Sequence, residues 1–168
     1  HQIYVCAGNC LRGVVLTAAE MHAQSRFSTI TIKENNVLDG DMETLLIEGV
    51  TDILHRLPSL PPAVLVFTSC IHHFMGCDLA LCYRELRKRF PGVDFTDCYM
   101  NPIMRKSGLT PDQLMRRQLY SLLKPRAQDD GVNILGNCFP TDETSELVKI
   151  IRKTGRPLRD ITVCKTYE

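Results

Sequence analysis

Two cysteines and two histidines fall within the stretch VFTSCIHHFMGCD, Val66–Asp78, of a chain that holds eight cysteines in 168 residues. Thiolate and imidazole are the donors that suit zinc, so Cys70, His72, His73 and Cys77 form a candidate Cys₂His₂ set. The spacing argues against it, because the four ligands crowd one segment and no second compact pair exists. An iron–sulfur cluster asks for thiolates from points that can be far apart in sequence. Cys70 with Cys6 offers that arrangement. Each cysteine also has a plainer reading as a small buried hydrophobe. That reading fits Cys82, on the apolar stripe of a helix pattern, and Cys164, inside an apparent strand. Cys77 stands before a helix, where the dipole favours thiolate. His72 and His73 are adjacent and point different ways, so at most one faces a ligand.

The elements that must position these groups read as alternating strands and helices. STITIK (28–33), AVLVFTS (63–69), VDFTDC (93–98), VNILGN (132–137) and ITVCKT (161–166) are strand-like runs. Helical patterns lie over roughly residues 10–23, 41–57, 78–90, 110–124 and 142–153. The fourth is marked by Thr110 and Gln113 as a capping box with Pro111 at the first helical position. Strands alternating with helices mean parallel βαβ units. The expected fold class is α/β: an open, parallel Rossmann-like sheet with flanking helices, plus the start of a second α/β domain. The polar KPRAQDDG stretch (124–131) reads as the joint, giving a first domain over 1–126 and the beginning of a second over 127–168. The chain starts at His1 without a Met and stops just after an apparent strand, so both ends read as cut from a longer polypeptide.

In such sheets ligands bind beyond the carboxyl ends of the strands. Cys70, Cys98, Asn137 and Cys138 are therefore expected along one edge, with Cys6 and Cys10 in reach of it. His72, His73 and Cys77 are expected in the adjoining loop. Arg105 and Lys106, in the long segment 99–109 above that edge, are candidates to meet an anionic substrate or a partner. No GxGxxG follows a strand, and no Walker A or C-x-x-C motif is present.

The formal net charge of +1 gives no global electrostatic case for nucleic acid. No apolar run approaches the roughly 18 residues of a membrane span, and no signal-peptide pattern is seen. Reduced thiols in a cytoplasmic protein are the expectation.

LVFTSCIHHFMGCDLALCYRELRKRF…VDFTDCYM resembles the nitrogenase component 1 type oxidoreductases, a family that includes nitrogenase molybdenum–iron protein subunits, their cofactor scaffold and dark-operative protochlorophyllide reductases. FTSC, MGCD and the helix from Asp78 carry the resemblance, with Cys77 in place of an acidic residue. VCAG and the run STITIKENNVLDGDMETLLIEGVTDIL extend it over nearly the whole chain. The resemblance implies Rossmann-like domains and paired subunits, identical or homologous. It further implies an interface iron–sulfur cluster fed by a separate ATP-dependent iron–sulfur reductase, and reduction of a substrate. By motif, Cys70 matches one cluster cysteine and Cys6 another, Cys10 being the alternative to Cys6. A third would lie before His1, so a chain cut here is expected to hold no cluster and to be inactive alone. His72 and His73 depart from a nitrogenase subunit proper. The alternatives are a Rossmann-like small-ligand binding module with no cluster, and the zinc site.

Overall fold

A computed structural model describes residues 1–100, 108–125 and 127–163, the side chains of 99, 100 and 111 excepted. The chain divides into two units, His1–Gln118 and Leu119–Glu168.

In the first unit, β1 (Gln2–Ala7), β2 (Phe27–Ile32), β3 (Ala63–Ser69) and β4 (Asp94–Met100) form a parallel sheet in the order β2-β1-β3-β4. This is the α/β fold the alternation of elements requires, a four-stranded parallel sheet flanked by helices. Helices α1 (Gly8–Glu20), α2 (Glu34–Asp39), α3 (Met42–Arg56), α4 (Cys70–Phe74) and α5 (Leu79–Arg89) complete it, and the division between the units falls within α6 (Pro111–Ser121).

Side chains alternate across a strand, so each strand serves two faces. Ile3, Val5, Ile30, Ile32, Val64, Val66 and Phe95 turn one way and meet Met42, Leu46, Val50 and Leu54 of α3 and Cys82, Tyr83 and Leu86 of α5. This is the main core. The other face presents Tyr4, Cys6, Phe67, Thr96 and Cys98. Tyr4 and Phe67 are cross-strand partners whose rings stack at 4.5 Å. Leu11 is the buried residue of α1. Thr96 Oγ1 donates to the Gln118 carbonyl at 3.4 Å, tying α6 to β4.

Two sequence expectations change here. QIYVCA, not read as a strand, is β1, an inner strand of the sheet. Its alternation of polar Gln2 and Tyr4 with apolar Ile3 and Val5 lacks the continuous apolar run that marks β3. Strand 93–98 runs on to Met100, which places Cys98 inside β4 opposite Phe67 rather than at its end.

In the second unit β5 (Val132–Ile134) pairs in parallel with β6 (Leu158–Asp160), with α7 (Glu146–Lys153) between them. The last strand lies before the expected 161–166, of which 164–166 fall outside the described residues. Helix α7 begins at Ser145, whose hydroxyl accepts from Val148 N–H. It does not begin at 141–142, because Thr141 is bonded to Asp160 and Asp142 to Thr144. The division at Gln118/Leu119 precedes the polar joint read at 124–131. Among the described residues no helix is long and apolar enough to cross a membrane.

Candidate functional site

The order β2-β1-β3-β4 places the topological switch point between β1 and β3. The chain leaves β1 toward β2 on one side and leaves β3 toward β4 on the other, opening a crevice at their carboxyl ends. Both exits carry a thiol. Cys10 is exposed in the first turn of α1, and Cys70, half-buried, is the first residue of α4. Cys6 lies one turn earlier, inside β1, and is fully buried. Burial, with Cys10 close by as a lesser cause, pushes the Cys6 thiol up to about 11. Of the two alternatives beside Cys70, Cys10 is the exposed one.

No break separates β3 from α4, a five-residue helix finished at both ends. At its start, Ser69 N–H donates to His72 Nδ1 at 3.2 Å. This half of a capping box puts the ring proton on Nε2. At its end, Gly76 adopts φ +65, Gly76 N–H donates to the His73 carbonyl at 3.1 Å and Cys77 N–H to the His72 carbonyl at 2.9 Å. These bonds make a Schellman closure, which the left-handed glycine permits. Asp78 then caps α5 by accepting from Leu81 N–H at 2.9 Å, and its own N–H donates to Glu43 Oε1 of α3 at 2.8 Å.

His72 is 2% exposed, and its Nε2 is buried without a partner among the described residues. Burial pulls the imidazole below its ordinary range, against the opposing effect of the Glu43 charge. His73, next in the chain, is exposed, as is Phe74. Cys77 is half-buried, and burial, reinforced by Glu43, raises its thiol. Cys98 is fully buried and pushed up to about 12, by burial first and Asp97 second. It therefore cannot face a substrate from the strand edge. Asn137 and Cys138 follow β5 at the edge of the second unit's own sheet. Arg105 and Lys106 lie outside the described residues.

Cys6, Cys10, Cys70, Cys77, Cys82 and Cys98 are thiols outside any disulfide among the described residues. Among the described residues no three of His, Cys, Asp and Glu are grouped to hold a metal ion. Cys70, His72, His73 and Cys77 are thus not drawn into one ligand set here: His72 is turned into the protein and His73 out of it. A groove lined by His1, Gln2, Arg26, Leu57 and Leu65 opens at the amino ends of β1 and β3, opposite the crevice. Sequence reading passed over Ser69, Gly76 and Glu43. Ser69-x-x-His72 was a visible capping spacing, and Gly76 before Cys77-Asp78 a visible helix stop. Glu43, thirty-five residues from Asp78, left no local signal.

No family model and no curated protein matches the chain.

Proposed function

We propose that this chain is part of a nitrogenase-like oxidoreductase subunit, and that the crevice between β1 and β3 is its cluster-binding edge. The observation that carries the reading is the pair of reachable thiols, Cys10 and Cys70, one at each exit of the switch point. Their chemistry fits: cluster ligands are thiolates, and metal binding requires that the thiols release their protons. Cys10 and Cys70 are accessible. Cys6, held as a buried thiol, is not, so Cys10 takes the position that the motif first offered to Cys6. An iron–sulfur cluster, when bound, supplies one-electron transfer. The residues of this chain anchor one side of it, and a paired subunit, identical or homologous, supplies ligands from the other. A separate ATP-dependent iron–sulfur reductase is the electron source, and a substrate at the far side is reduced.

The test is anaerobic iron and sulfide analysis, with absorption spectra, of the intact protein and of its Cys10→Ala, Cys70→Ala and Cys6→Ala variants. Loss of iron in the first two and retention in the third is expected. Iron content untouched by Cys70→Ala would overturn the reading and leave a Rossmann-like small-ligand module in its place. Zinc lost on changing His72 and His73 together would move the site to the 70–77 segment.

A further inference from the structure

We propose that His72 is a positioning residue for Cys70: its ring holds α4 closed, and with it the exposure of the thiol at the switch point. Five residues cannot sustain a helix alone, because the first turn must be nucleated before propagation contributes. Helix α4 therefore depends on its ends, and His72 takes part in both. Its Nδ1 receives the Ser69 N–H at the start, and its carbonyl receives the Cys77 N–H at the finish. Beyond that finish, Glu43 holds Asp78 N–H, so the segment is fixed to α3 as well.

Of these three ties, only the one to Nδ1 depends on the identity of the side chain at 72. The carbonyl tie is backbone, and the Glu43 tie belongs to another residue. A purely apolar side chain would fill the same buried space without leaving Nε2 unpartnered. What the imidazole adds over such a side chain is the acceptor facing Ser69 N–H. Without it α4 loses the side-chain half of its N-terminal closure, and the local opening of α4 becomes easier. Cys70, half-buried at the head of the helix, is released by this opening. Cys82 and Cys98 are fully buried, on α5 and β4, and are not. The inference rests on the geometry of the 69–78 segment and holds with or without a cluster at the edge.

The experiment is site-resolved alkylation with N-ethylmaleimide, followed by peptide mass spectrometry, on reduced and metal-stripped protein. His72→Leu keeps an apolar body in the site and removes the acceptor. His72→Gln restores an acceptor at the position where a capping box normally carries Glu or Gln. In His72→Leu the labelling rate of Cys70 is expected to rise roughly threefold to tenfold, the range that loss of one neutral hydrogen bond supports. Cys82 and Cys98 are expected to stay protected, and His72→Gln to label as the parent does. An unchanged Cys70 rate in His72→Leu overturns the proposal. So does labelling of Cys82 and Cys98 in step with Cys70, failure of His72→Leu to fold, or failure of His72→Gln to restore the parent rate. Because no metal is present, none of these outcomes depends on the iron analysis of Cys70→Ala.

Discussion

Gly49 of α3 and Ile30 of β2 meet with no room for a side chain between them. A Cβ at position 49 would stand 2.7 Å from Ile30 Cδ1, 3.1 Å from Cγ1 and 3.3 Å from Cγ2. Three atoms of one β-branched side chain are involved, and such a side chain is stiff at χ1. A single rotamer change does not clear them all.

Gly49→Ala is therefore expected to destabilise the first unit despite the better helix propensity of alanine. Overpacking costs about 1–3 kcal/mol, and the propensity gain offsets about 1 kcal/mol of it. Ile30→Val removes Cδ1 and should cost about 1 kcal/mol alone, but less in the Gly49→Ala background. Urea unfolding of the four proteins measures the coupling. Simple additivity would mean that the close approach is not maintained.

Alkali should unfold the protein earlier than its carboxylates and lysines alone would require. Burial pushes Cys82, Cys98 and Tyr4 each up to about 12 and Cys6 up to about 11. In the unfolded chain the thiols ionise near 9.0 and the phenol near 10.0. The folded state keeps these groups neutral, so their contribution is intact below about pH 9 and is lost as pH rises toward the folded values. Denaturation midpoints should hold steady between pH 7 and pH 8.5, ordinary working values in the range where such groups stay neutral, and then fall. Cys98→Val should flatten the fall. A midpoint flat to about pH 11 contradicts the burial of these groups.

What could be read in the sequence divides by physical cause. Strand β3 was legible at its bounds, because a strand covered on both faces is apolar without interruption. Helix α6 was legible from Thr110 and Gln113, which form both bonds of the box, at 3.2 and 2.8 Å. Strand β1 was not, and with it went the sheet order that defines the crevice. Helix α4 was read as a loop because five residues carry no period. The choice between Cys6 and Cys10 could not be made from CAGNC either. It depends on where β1 ends and α1 begins, which local spacing leaves open by a residue or two.

In the second unit, Asp160 at the end of β6 collects the loop that follows β5. Its carboxylate accepts from Thr141 N–H at 3.0 Å, from the Thr141 hydroxyl and from Asn137 Nδ2 at 3.3 Å. Asp160→Ala leaves these donors without their acceptor, at a cost of about 1–3 kcal/mol for bonds to a charged group. Faster proteolytic cleavage within residues 135–144 is the expected readout. An unchanged cleavage rate would show that the carboxylate does not hold the loop.

Gly76 gives the cleanest test of the turn that ends α4. A Cβ there meets nothing within 4 Å, so substitution costs backbone strain without a clash. At φ +65 an L-residue pays about 1–2 kcal/mol, and asparagine, which visits this region more readily, pays less. Gly76→Asn should thus be milder than Gly76→Ala, and Gly76→Val worse than both, because a β-branched residue fits the left-handed region least. Thermal unfolding of the three variants gives the order directly. The same order should appear in Cys77, whose N–H closes the turn onto the His72 carbonyl at 2.9 Å. Its alkylation should quicken from asparagine to alanine to valine. If all three variants unfold alike, the left-handed conformation is not what position 76 contributes, and the closure of α4 must rest on its Ser69 end alone.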